Sequence, residues 1–174
     1  MWDFFSTVRH RHSVRQYLDS SVEKEKIHAI IEMACAAPSA VDLQSYQIFV
    51  ITDQQKRDSL RDLSYDQDFI SLAPVSIVFC ADTKRAEQKY GERGSELYAI
   101  QDATIAAAYS QLAIVAAGLA STWVGFFDDQ KLSEFLSLGD GVKPIAIICA
   151  GYAAEIPEAT SRRKLDEVVV FDNP

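Results

Sequence analysis

The chain has 174 residues, of which 48% are hydrophobic and 24% charged, with a formal net charge of -8. That length buries a sizeable core without disulfides or a structural metal, and the composition excludes a disordered or fibrous chain. The acidic balance argues against nucleic acid as a partner, because the overall field repels polyanions.

Phe4, Phe5 and Val8 leave room for a short amphipathic helix ahead of the basic cluster Arg9-His10-Arg11-His12-Ser13-Val14-Arg15. Ser20 and Glu23 form a capping-box pattern, and Ile27, Ile30, Ile31 and Ala34 then recur on one helical face, so a helix is expected that Pro38 ends. A loop over 38–45 leads into a β-branched and aromatic run at 47–51, expected as a buried strand. A helix with Leu60 and Leu63 inward follows. Phe69, Ile70 and Leu72 then form a short apolar patch, Pro74 punctuates, and 75–80 is the next strand. Residues 82–94 are charged and loosely patterned, and read as a lid or surface loop.

The long run 97–117 is apolar or small around most of its circumference, which a two-layer monomer covers poorly, so a subunit partner is expected there. It carries Gln101, Asp102, Thr104, Ser110 and Gln111, whose cost in lipid makes it a buried helix rather than a membrane span. Gly118 stops it. Residues 121–126 read as a strand, Leu132, Phe135 and Leu136 as a helix, and 145–150 as the last core strand. The tail ends in Val168-Val169-Val170-Phe171, a strand pattern without a local partner, expected to add to the sheet of a second subunit.

Cys35, Cys80 and Cys149 are odd in number and set in apolar surroundings, which predicts reduced core thiols and no metal site. The opening Met1-Trp2-Asp3-Phe4-Phe5 lacks the flank and cleavable stretch of a secretory signal, so a cytoplasmic protein is expected. His10, His12 and His28 have no paired ligand spacing, and His28, in the first strong helix, is expected at the surface or its boundary. There is no G-x-G-x-x-G after a strand, no Walker loop and no G-x-S-x-G elbow.

Arg11, His12, Ser13 and Arg15 place two guanidinium groups, an imidazole and a hydroxyl within five positions. Such a set can hold a phosphate by charge-assisted bonds and leave one cation for another part of the ligand. The alternative is a solvated basic loop, the usual fate of a charge run.

Four ordered motifs extend the reading. Arg11 to Tyr17 resembles the R-[RH]-S-x-[RK]-x-[FY] opening of nitroreductases, and Ala36 to Gln44 resembles their A-P-S-x-x-N-x-Q loop. Asp102, the small-residue helix and Gly118 to Gly125 resemble the D…G-L-x-[ST]-x-W-x-G section. Gly151-Tyr152, Glu155, Pro157 and Arg162 to Val169 resemble the family's ending. Each is weak alone; in order along nearly the whole chain they identify the family by resemblance.

The resemblance implies an α+β nitroreductase-like fold, a central mixed sheet flanked by helices, formed by one domain over 1–174 whose arm, about 153–174, packs on the partner. It implies an intertwined homodimer with FMN at the subunit interface and no membrane association. Arg11 and Ser13 would hold the FMN phosphate, His12 would lie near the phosphate and ribityl chain, and Arg162 or the adjacent Arg163 would approach from the tail. Arg15 would reach the N1 and C2-carbonyl edge of the ring, where a cation stabilises the charge gained on reduction. Pro38, Ser39, Asp42 and Gln44 would line the flavin, and Val124 and Gly125 would present backbone near N5. NADH or NADPH would deliver hydride, and a small organic acceptor such as a nitroaromatic or quinone would take it in ping-pong order. Rival readings are a flavin-binding or sensing module without turnover, a dehalogenase-type or flavin-consuming branch of the family, and a small interaction domain without cofactor.

Two departures from the family pattern stand out. Asp42 replaces the usual Asn, so it can accept from flavin N3-H but cannot donate as an amide does. The chain is also short, and 82–94 promises little lid and an open site.

Overall fold

In the computed structural model, which describes residues 3–172, the fold is organised on four strands: β1 (Tyr46–Ile51), β2 (Val75–Asp82), β3 (Ala120–Val124) and β4 (Val142–Gly151). They pair antiparallel in the order β1-β2-β4-β3. The parallel component is one isolated bridge, Ser13 to Ser121, which lays the basic cluster along β3. Met1, Trp2, Asn173 and Pro174 lie outside the described residues, so the signal reading and the end of the inferred arm fall partly outside them too.

Strand periodicity sorts the central side chains onto two faces. On one face Ile77, Phe79, Ala146 and Ile148 pack with Ile30, Ala34, Ala106 and Ile114. On the other, Val78, Cys80, Ile147 and Cys149 pack with Leu60, Ile70 and Leu132. Because both faces of β2 and β4 are covered, their sequences read as unbroken apolar runs.

The helices supply that cover: α1 (Phe4–His10), α2 (Lys24–Cys35), α3 (Gln54–Leu63), α4 (Phe69–Leu72), α5 (Thr83–Tyr90), α6 (Ala99–Ala116) and α7 (Asp129–Phe135). A single π-helical turn, Gly94–Tyr98, leads into α6. Gly118, at φ 77°, turns the chain after α6, and Leu119 N–H donates to the Ile114 carbonyl at 3.0 Å, the bond that closes a helix C-terminus. No helix of the described residues is long and apolar enough to cross a membrane.

Several expectations change. Residues 82–94 are not a loose lid: Asp82 accepts from Arg85 N–H and starts α5, and Gly91 ends it at φ 59°. Gly94 lets the π turn approach α5 closely, since a Cβ there would stand 2.3 Å from the Ala86 carbonyl oxygen. The Ser20/Glu23 capping box does not form. Glu23 is the N-cap of α2 without a side-chain cap bond, because its carboxylate accepts from Tyr152 Oη at 2.8 and 2.9 Å. The run 168–171 is not a strand in the single chain; a short 3-10 turn, Leu165–Glu167, precedes it, and Val170 is 97% exposed.

Cysteine placement is also corrected at one position. Cys80 and Cys149 are buried, and burial pushes both thiols up to about 12, but Cys35 at the end of α2 is exposed. The thiolate is the reactive form. In native protein a thiol-exchange reagent should therefore titrate one group rapidly and all three only after denaturation; two or more fast thiols would contradict this packing.

Candidate functional site

The basic cluster is held by backbone geometry. After α1 the chain becomes extended at Arg11. Val14 N–H donates to the Ser121 carbonyl at 3.1 Å, and Thr122 Oγ1 donates to the Val14 carbonyl. Tyr17 Oη donates to the Val14 carbonyl at 2.8 Å and to the Cys149 carbonyl at 3.3 Å. Burial raises the Tyr17 pKa, with Cys149 adding to the effect, so the phenol stays a donor. Alternation sends Val14 into the core while Ser13 and Arg15 face outward, and Tyr17, out of step with that period, is buried where its hydroxyl reaches the Val14 and Cys149 carbonyls.

Arg11, His12 and Ser13 line a cavity of about 560 Å³ with Pro157, Thr160 and Arg162 of the tail. The two tail arginines differ. Arg162 lines the cavity and is steadied by Thr160 Oγ1 at 2.5 Å, whereas Arg163 is engaged with the Glu167 carboxylate at 3.3 Å and carbonyl at 2.7 Å. With Arg9 also on the wall, three guanidinium groups, an imidazole and the hydroxyls of Ser13 and Thr160 surround one cavity, donors suited to a phosphate. Glu158 also lines it, an acid that no sequence motif flagged.

Arg15 stands apart from that cavity. Its guanidinium lies 5.6 Å from the centroid of the Phe69 ring, a cation–π arrangement that orients the charge without neutralising it. Beyond the Ser13 bridge, β3 ends at buried Val124, and exposed Gly125 follows it. A Cβ at Gly125 would meet nothing nearer than 3.6 Å, so the chain itself does not demand glycine there. Its backbone is exposed, with the Trp123 indole in ordinary contact distance, and a glycine there leaves room for close approach by a ligand. Next to it Phe126 is exposed and stacks on Tyr65, with centroids 4.3 Å apart.

Pro38, Ser39, Asp42 and Gln44 occupy a second loop and are absent from the cavity lining. This loop is strained: Val41, Asp42 and Gln44 have φ of 47°, 54° and 48°, which is uncommon for any non-glycine residue and unusual for a β-branched one. Asp102, 2% exposed on α6, holds it by accepting from Ala40 N–H at 3.0 Å, Ser45 N–H at 3.4 Å and Ser45 Oγ. Within the loop Gln44 N–H donates to Ser39 Oγ at 3.0 Å, and Gln44 Nε2 donates to the Cys35 carbonyl at 2.9 Å. Asp42 is exposed. Asp102 belonged to a recognised motif, but its task could not be read without knowing that α6 passes beneath this loop. Phe69, part of the short apolar patch in the sequence, carries no signal for its place beside Arg15.

Comparison with known proteins places this geometry in context. The model of the Nitroreductase family matches residues 8–67 and 64–152. The chain is 28% identical over 159 residues to a putative NADH dehydrogenase/NAD(P)H nitroreductase of Methanothermobacter thermautotrophicus, covering 89% of this chain and 80% of that one. It is 30% identical to an FMN reductase [NAD(P)H] of Bacillus subtilis over 86% of this chain, and spans 65% of that relative's length. An FMN-dependent nitroreductase structure from Clostridium difficile superposes with a TM-score of 0.81 at 29% identity, covering 98% of this chain and 99% of that one. The short length is therefore shared with a solved relative.

Proposed function

Because the chain belongs to the nitroreductase family, we propose that it is an NAD(P)H-dependent FMN oxidoreductase whose flavin sits across the interface of a homodimer. The observation that carries this is the Arg11, His12, Ser13 and Arg162 cavity, accompanied outside its lining by an outward Arg15 and an exposed Gly125 backbone. Relatives named as FMN reductase and NAD(P)H nitroreductase support the cofactor pair.

Bound FMN would supply hydride acceptance and donation, chemistry that needs no acid–base pair from the protein. The chain's residues do the rest. Arg11, Ser13 and Arg162 would neutralise and orient the phosphate, with His12 beside it. Arg15 would place a fixed positive charge where negative charge develops on the ring during reduction. Val124 and Gly125 would offer backbone at N5, while Pro38, Ser39, Asp42 and Gln44 would shape the ring pocket.

A dimer is supported by three features. Within one chain, no residue of the second loop lines the phosphate cavity. Phe4, Phe5, Met33 and Tyr109 leave apolar surface exposed around α1, α2 and α6, the kind of patch that marks an interaction face. β1 is an open edge strand, flanked by an apolar groove with Ile27, Ile31 and Val50, into which the partner's exposed 168–171 run would add as a strand.

The acceptor is proposed as a small flat molecule, a nitroaromatic or quinone, because the exposed Tyr65–Phe126 stack beside Gly125 offers an aromatic surface. Initial velocities over a matrix of NADH and quinone concentrations should give parallel double-reciprocal lines. Intersecting lines would contradict ping-pong order, and no acceptor-dependent NADH or NADPH oxidation would leave only flavin binding.

Asp42 is expected to tune the cofactor. A carboxylate near the ring opposes the charge gained on reduction, so Asp42→Asn should raise the FMN midpoint potential by roughly 30 mV, the two-electron equivalent of ~1.4 kcal/mol. An unchanged potential in redox titration would remove Asp42 from the ring pocket.

A further inference from the structure

A second cavity, also about 560 Å³, lies between the 17–22 segment, the start of α3 and the end of α4, and shares no lining residue with the first. Arg57 of α3 is the sole cation in its lining and is 8% exposed. The Arg57 terminal nitrogens donate to the Thr52 carbonyl and Gln54 Oε1, but Nε is buried without an acceptor. The ion pairs among the described residues do not include Arg57.

A largely buried guanidinium with no carboxylate in ion-pair contact is an uncommon arrangement, because buried charges are as a rule paired. Two carbonyl-type acceptors orient the group, and Asp58 and Asp53 favour its charge through space without bonding to it. An anionic ligand would supply the direct pairing that the chain lacks. The rest of the wall narrows the class: Ser20, Thr52 and Ser71 bring hydroxyls, while Val22, Leu72 and Pro74 bring apolar surface. Asp19, on the same wall, opposes a second negative charge. The volume falls within the ~300–1,000 Å³ of small-molecule sites.

We propose that this cavity binds a small organic monocarboxylate, its carboxylate against Arg57 and its apolar body against Val22, Leu72 and Pro74. The site is independent of the flavin reading and of the residues assigned to it.

Cyclohexanecarboxylate is a suitable probe, because it is not flat and does not mimic a ring that stacks on flavin. Titrated into isotopically labelled protein as purified, it should give saturable amide shifts confined to 18–22, 52–57 and 71–75. Arg57→Gln should weaken binding at least about tenfold, the loss of a charge-assisted hydrogen bond, and Arg57→Lys should retain part of it. Inorganic phosphate at equal ionic strength should give no saturable shift at these amides. The proposal is overturned by absence of saturation, by shifts centred on 11–13, by undiminished affinity in Arg57→Gln, or by phosphate binding as well as the carboxylate. If Arg57→Gln does not fold, the wild-type shift map and Arg57→Lys decide: confinement to the three segments supports the site, and dispersed shifts overturn it. Neither flavin nor turnover enters the readout, so failure here leaves the flavin reading untouched.

Discussion

Asp102→Ala is expected to lower unfolding free energy by about 3 kcal/mol, since it strands buried donors that each cost ~1–3 kcal/mol when unsatisfied. Ala40 N–H, Ser45 N–H and Ser45 Oγ would lose their acceptor, and Ser45 is fully buried. The same bonds hold Val41, Asp42 and Gln44 at positive φ, so their loss also frees the loop to relax. FMN retention should fall with stability, because Pro38, Ser39, Asp42 and Gln44 would no longer be presented in one arrangement. Asp102→Asn, which keeps one carbonyl acceptor and the volume, should lose less on both counts. Denaturant titration measures the first effect and flavin retained after desalting the second. Wild-type stability in Asp102→Ala would show that the loop is held by something else.

Arg15→Gln is expected to slow anaerobic reduction by NADH or NADPH by about 10²–10³-fold, the range for removing one preorganised charge stabiliser. Arg15 is exposed and its contact is the Phe69 ring, so the melting temperature should hardly move. FMN should still be retained, because the phosphate group of residues, Arg11, His12, Ser13 and Arg162, is intact. Arg15→Lys keeps the charge but not the planar fork, and should recover part of the rate. Stopped-flow reduction separates the outcomes: an unaltered rate removes Arg15 from the ring edge, and loss of flavin reassigns it to phosphate binding.

What the sequence made legible followed the local physics of each element. β2 and β4 were readable because runs such as Ile77-Val78-Phe79 are apolar on both faces, and α6 because few polar residues interrupt it. α5 was missed because only Thr83 and Ala86 of its eight residues are buried, leaving almost no apolar stripe, although Asp82 and Gly91 marked its ends. The capping box failed for a long-range reason, since Tyr152 takes the Glu23 carboxylate across 129 positions. Contacts of that kind leave no periodic trace.

The site divides in the same way. Motifs found the Arg11 to Arg15 cluster and the second loop, and the chain brings Arg162 rather than Arg163 to the cluster. No local pattern could reveal that Asp102 anchors the second loop or that Phe69 lies beside Arg15. Both depend on elements that meet only after the sheet has formed.

On the proposed function, this chain holds FMN and passes electrons to it from a nicotinamide. The visible absorption spectrum after FMN addition and desalting, followed by anaerobic NADH and then NADPH, tests it most directly. The expected result is retained flavin that bleaches with at least one of the two nucleotides. Retained flavin that stays oxidised with both would contradict the oxidoreductase reading, and protein that emerges colourless would contradict the site itself.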